Sequence, residues 1–170
     1  MVNKLSIRTL VNQVQQLVNE LYNYYVPPFK INRIQLSESD LQNVINSIYS
    51  KSRPAGWLRL DGNYYTTDMA TFKKIVEWDW TDTRKYITDT FDCDKFSMYF
   101  KSRIAIDFGI NAIGVVIDYS AGHAYNLVII KESQGFSWYL YEPQNDAIMS
   151  FESRLPTLYR MDPGRWYLIL

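Results

Sequence analysis

The chain has 170 residues, 18 Lys plus Arg against 18 Asp plus Glu, one cysteine and one histidine. That length suits one domain able to bury roughly 70% of its unfolded surface without a disulfide or a structural metal. Balanced charge argues against nucleic acid as a partner, because phosphate binding needs a cationic footprint. A lone cysteine excludes an internal disulfide and fits a reducing compartment, so the expected location is cytoplasmic.

The start, Met1-Val2-Asn3-Lys4-Leu5-Ser6-Ile7-Arg8, lacks the apolar run of a signal peptide. No stretch approaches the roughly 18 apolar residues that span a bilayer, so no membrane is expected as a partner. The first element is a helix over residues 4 to 25, with Leu10, Val11, Val14, Leu17, Val18 and Leu21 on one stripe and Asn12, Gln13, Gln15, Gln16, Asn19 and Glu20 opposite. Pro27-Pro28 stops it. Such a stripe either packs on the body of the domain or joins two chains, which makes a homodimer an open reading.

Residues 29 to 36 read as extended. Ser37-Glu38-Ser39-Asp40 carries N-cap chemistry for a second helix to Ser50, whose inner face is Leu41, Val44, Ile45 and Ile48. Trp57 to Leu60 and Asn63 to Thr66, joined by Asp61-Gly62, read as a β-hairpin. Thr67 or Asp68 caps a short helix to Trp78, and Asp79 to Thr90 reads as loop. A helix follows from Cys93 to Ile106. Strands are expected over Ala112 to Asp118, Gly122 to Lys131, Phe136 to Tyr141, Ala147 to Phe151 and Arg165 to Leu170. Helices first and strands last give an α+β domain, with N-terminal helices packed on a mainly antiparallel β-sheet. Residues 1–170 form a single domain in this reading, residues 1–55 are a candidate helical subdomain, and residues 88–145 carry the site.

The chemistry gathers around Cys93 and His123. Cys93 stands at a helix start, where the helix dipole favours a thiolate, although Asp92 and Asp94 oppose that charge. Along the hairpin, His123, Tyr125, Leu127 and Ile129 share one face, as do Trp138, Leu140, Glu142 and Gln144. If the turn has two or four residues, Leu127 opposes Leu140 and Ile129 opposes Trp138, which merges the apolar rows. The same register sets His123 opposite Gln144 and diagonal to Glu142, within reach of a glutamate side chain. A structural cysteine and a hydrogen-bonded strand histidine are the plainer readings of the same residues.

The pieces Phe91-Asp92-Cys93-Asp94, Gly122-His123-Ala124-Tyr125-Asn126 and Tyr141-Glu142-Pro143-Gln144 resemble the papain-like cysteine-protease domain of the fairy-ring mushroom agglutinin family. They are also similar to the transglutaminase-like core. The likeness spans residues 88 to 145, and it implies a papain-like fold. By that resemblance the chain is a cysteine peptidase (thiol protease) or related amide hydrolase acting on protein or peptide. Cys93 would be the nucleophile, His123 the base and Glu142 the residue orienting it, with oxyanion support from Gln144, Trp78 or Trp80. The resemblance also implies calcium, for which Asp89, Asp92 and Asp94 are the nearby acids, although the residues themselves require no cofactor. The rival readings are a non-catalytic binding or structural module, such as an assembly or virion component, and an acyl transferase.

Overall fold

The computed structural model describes residues 4–170; Met1 to Asn3 lie outside it. The chain divides into two compact units, Met1–Lys30 and Ile31–Leu170. The first is the helix α1 (Lys4–Tyr25). It matches the expected span, but its apolar stripe, from Ile7 through Leu10, Val14 and Leu17 to Leu21, is exposed.

In the second unit, β1 (Ile34–Leu36) leads into α2 (Glu38–Lys51). Ser37 caps α2 as expected: its side chain accepts from the Asp40 N–H, and the Asp40 carboxylate accepts from the Ser37 N–H, so two of the helix's orphan donors are satisfied together. Leu41, Val44, Ile45 and Ile48 are buried. Because α2 lies beyond residue 30, the compact boundary falls inside the candidate 1–55 subdomain, and α2 belongs with the sheet.

The strands β2 (Gly56–Leu58) and β3 (Tyr64–Thr66) follow. They do not form a hairpin with one another. β3 pairs antiparallel with β1, and β2 pairs parallel with β8 (Trp166–Ile169) in the main sheet. The Asp61-Gly62 turn is used differently: Arg59 folds across it, donating to Asp61 O, Gly62 O and the Glu38 carboxylate. The chain's last strand offers β2 a longer run of backbone partners than a two-residue turn could, continuing through Leu60 N–H to Leu170 O and Leu170 N–H to Leu58 O.

Next come α3 (Met69–Trp78), capped by Asp68, and α4 (Cys93–Phe108). The sheet is completed by β4 (Ile113–Asp118), β5 (His123–Lys131), β6 (Phe136–Glu142) and β7 (Ala147–Met149). Strand order is β2-β8-β4-β5-β6-β7, antiparallel except for β2–β8. The β5–β6 register sets Leu127 against Leu140 and Ile129 against Trp138, as the apolar rows require.

β5 is buried on both faces. On one face Tyr125, Leu127 and Ile129 join the α2 side chains, Leu140 and Trp166 in a single core. On the other, Tyr141 meets the rings of Phe72 from α3 and Phe100 from α4, at 5.7 and 4.3 Å. Asn126 is the one polar residue inside this strand, and its amide donates to Ser97 O of α4 and Gly114 O of β4. That pair of bonds ties the helix to the sheet next to the start of β5, where the candidate site lies.

Candidate functional site

Three element ends converge. α4 begins at Cys93, β5 begins at His123, and β6 ends at Glu142. Residues from all three line a cleft of about 340 Å³, together with Tyr86, Gly122, Gln144, Asn145, Leu158 and Tyr159.

Glu142 organises it. The residue is buried, with 2% of its surface exposed. Its Oε2 lies 2.6 Å from His123 Nε2 and accepts from the Tyr159 hydroxyl at 3.0 Å. Its Oε1 accepts from the Gln144 backbone N–H and from the Gln144 side-chain amide, both at 3.2 Å. A buried carboxylate needs this many donors to offset lost hydration. With Nε2 committed, Nδ1 is the ring nitrogen left over. The imidazole also packs against Tyr125 and Tyr159, each with centroids at 5.7 Å.

A second buried carboxylate, Asp118 at the end of β4, shapes the turn into His123. Its Oδ1 accepts from Ser120 N–H at 3.0 Å and from the Ser120 hydroxyl. Its Oδ2 accepts from the Tyr125 hydroxyl and from Met161 N–H. Asp118 stands opposite His123 in the ladder. Gly122, which precedes the histidine, has φ +65° and open space around a would-be Cβ. Backbone conformation, not crowding, demands glycine there.

Tyr159 was not legible as a site residue. It sits on a segment without a motif, and tertiary contacts bring it in. Arg154 holds that segment by donating to Phe151 O, Tyr159 O and Arg160 O. Burial, reinforced by the Glu142 charge, pushes the Tyr159 hydroxyl above the usual phenol range, so it stays a donor. Burial and Asp118 do the same for Tyr125. Tyr86 and Leu158 carried no signal in the sequence either.

The structure thus brings Cys93, His123, Glu142 and Gln144 to one cleft. Cys93 is a free, half-buried thiol in the first turn of α4, and its N-cap Asp92 makes no side-chain cap bond. Trp78 and Trp80 are not oxyanion donors to this cleft; their rings flank the Arg103 guanidinium at 4.9 and 4.8 Å. Nor do Asp89, Asp92 and Asp94 gather about a common point. The Lys95 ammonium lies 2.9 Å from Asp94 and 3.5 Å from Asp92, in the position a cation would take, while Asp89 is exposed in a left-handed turn at φ 63°. Among the described residues no group of three or more His, Cys, Asp or Glu is arranged to hold a metal ion. The residues present therefore do not fit calcium at the expected position.

The family model described as "Ricin-type beta-trefoil lectin C-terminal domain" matches residues 3–155. The chain belongs to this lectin family. No curated protein matches it. Among solved structures, one described as a "PSL1a-E64 complex" aligns with TM-score 0.56 and 18% identity, over 80% of this chain and 51% of that one. A Polyporus squamosus lectin, described as bound to the human-type influenza-binding epitope Neu5Aca2-6Galb1-4GlcNAc, aligns with TM-score 0.54 and 15% identity, over 80% and 49%. The chain spans about half the length of these structures, and they share its fold.

These findings correct the earlier expectations. The fold is that of lectin structures, where a papain-like protease fold was expected. The family is a lectin domain, which overturns the expectation of an enzyme and of a thiol peptidase or other hydrolase. The physical reason is that three short motifs specify a helix start and one cross-strand pair. Their order says which side chains meet; it does not say that a reaction follows. What stands is the chain's place in the lectin C-terminal-domain family, and the grouping of these residues in one cleft.

Proposed function

We propose that the chain is a non-catalytic carbohydrate-binding domain of a lectin, and that the cleft around His123 and Glu142 takes the ligand. The carrying observation is the network centred on Glu142. Its carboxylate is spent on protein donors, so it works as a frame that fixes the imidazole, the Gln144 amide and the Tyr159 hydroxyl. What this frame presents is polar and pre-oriented: His123 Nδ1, the Gln144 side-chain carbonyl, and the Asn145 amide nitrogen, whose own Oδ1 accepts from Ala147 N–H. The cleft is flanked by the rings of Tyr86 and Tyr159. Fixed donors and acceptors between two rings suit a polyhydroxylated ligand, which offers hydroxyls at its rim and C–H faces to an aromatic. The glycan named for the Polyporus squamosus lectin supports the ligand class.

The test is calorimetry with two probes, the trisaccharide Neu5Aca2-6Galb1-4GlcNAc and the E64 named for the PSL1a complex. The trisaccharide should bind saturably, E64 should compete with it, and Gln144→Ala should weaken glycan binding at least tenfold. A pair of buried partners lost from a polar site is worth about 1–3 kcal/mol, which is that order of change. Absence of glycan binding would overturn the reading. So would amide-bond cleavage in a peptide library that disappears in Cys93→Ala.

A further inference from the structure

The core face of the sheet is not wholly covered by α2. Alternation along β6 puts Phe136, Trp138 and Leu140 on that face. Leu140 is fully buried, whereas Phe136 and Trp138 stay half-buried, as does Phe151 just after β7. On the helix, Ser47 and Lys51 are four residues apart, so they share a flank, and both are exposed. Together with Glu152, these side chains line another cleft, of about 190 Å³. It lies at the start of β6, while Glu142 stands at that strand's end. From Phe136 to Glu142 the strand spans roughly 20 Å, at about 3.3 Å per residue.

The walls are rings held at an angle. Trp138 and Phe151 have centroids 5.7 Å apart and planes tilted by 58°. The Trp138 indole N–H donates to Ser47 Oγ at 3.2 Å, which fixes how the ring stands. That bond uses an oxygen lone pair and leaves the hydroxyl proton to donate. The rim is an ion pair, with Lys51 Nζ 2.6 Å from Glu152 Oε1. At 46% and 62% exposure, the pair adds little to stability. It does set a donor and an acceptor side by side, the pattern that adjacent hydroxyls of a sugar ring complete. A cationic ligand is disfavoured, because the Lys131 ammonium stands 4.6 Å over the Phe136 ring and the Arg154 guanidinium 3.5 Å over the Phe151 ring. What fits is an uncharged ring with C–H groups on its face and hydroxyls at its edge.

We propose that this cleft is a second glycan site, in which a pyranose ring lies against Trp138 and Phe151 and its adjacent hydroxyls bond to Ser47 and the Lys51–Glu152 pair. The ligand class rests on the carbohydrate reading above, but the residues are all different from those of the His123 cleft.

Nuclear magnetic resonance of the full chain tests it. The reporter is the indole N–H signal of Trp138, identified by its loss in Trp138→Phe. The probes are methyl β-galactopyranoside, methyl β-N-acetylglucosaminide and methyl α-mannopyranoside, each taken to about 50 mM, beyond saturation of a millimolar site. At least one should move the signal saturably. Glu152→Ala and Ser47→Ala, both at exposed positions, should each weaken that binding at least about fivefold with the thermal transition unchanged. Gln144→Ala should leave it intact, so that binding here and binding at the His123 cleft fail independently. A Trp138 signal that none of the three sugars moves would overturn the proposal. So would an unchanged midpoint in either the Glu152 or the Ser47 variant, or loss of the Trp138 shift in Gln144→Ala.

Discussion

Glu142 shows how much one buried carboxylate can order. Glu142→Gln keeps the shape but exchanges an acceptor for an NH₂ group among four donors, so at least one buried donor loses its partner. The expected cost is about 1–3 kcal/mol, read as a lower urea midpoint at unchanged slope. A variant as stable as the parent would mean that water replaces the lost bonds. Asp79 makes the opposite kind of prediction. Its carboxylate is buried next to Arg103, with Oδ1 3.2 Å from the guanidinium Nε, yet the two are not aligned for a hydrogen bond. Burial therefore dominates over the Thr81 bonds and the Arg103 charge, and holds the carboxyl above its ordinary range. The folded state then binds this proton more tightly than the unfolded chain does. That contribution to stability is present below the unfolded pKa and is lost as pH rises through the folded one. Asp79→Asn has no proton to lose. Its urea midpoint relative to the parent should improve as pH is raised from about 4 to 7. A relative midpoint that falls over that range would show that the Arg103 pair outweighs burial.

At the scale of elements, the boundaries rest on caps and on turn geometry. α4 ends in Gly109 at φ 64°, whose N–H donates to Ala105 O. A Cβ there would stand 2.8 Å from the mobile end of Arg33, which can give way, so backbone strain sets the cost. Gly109→Ala should lose about 1–2 kcal/mol, while Gly109→Asn loses less because asparagine tolerates the left-handed region. Equal losses for the two would place the cause in the Arg33 contact. The hairpin β5–β6 is the other informative element. Its turn, Glu132 to Gly135, closes with Glu132 N–H to Gly135 O, and this four-residue spacing is what sets Leu127 on Leu140. The position of Glu142 beside His123 is a consequence of that register.

For the molecule as a whole, β8 matters more than its place in the sequence suggests. It lies between β2 and β4, so it joins residues near 57 to residues near 116. Trp166 on β8 is fully buried, and its indole N–H donates to Ser52 Oγ, which in turn donates to Met161 O. Trp166→Ala removes a large core side chain and the indole donor to Ser52, whose hydroxyl keeps its bond to Met161 O. A loss of about 3–5 kcal/mol is expected, a large share of what a domain of this size possesses. The measurement is chemical denaturation followed by tyrosine and tryptophan fluorescence. A loss below about 1 kcal/mol would mean that β2 and β4 hold the sheet without it.

The sequence by itself determined what is local. The spacing of Leu41, Val44, Ile45 and Ile48 and the Ser37 cap placed α2, and alternation along β5 and β6 placed the register that joins His123 to Glu142. Both signals survive because their partners are near in sequence, where chain entropy leaves few alternatives. Tertiary structure alone decided the rest. β2 left the Asp61-Gly62 turn for β8, since a strand's choice of partner depends on every other strand present. Tyr159 reached Glu142 through a segment that no periodicity marks. Function was the least legible: the motifs around Cys93, His123 and Glu142 specified a meeting of side chains, while the lectin family was carried by the match over residues 3–155 and by the likeness of the whole fold.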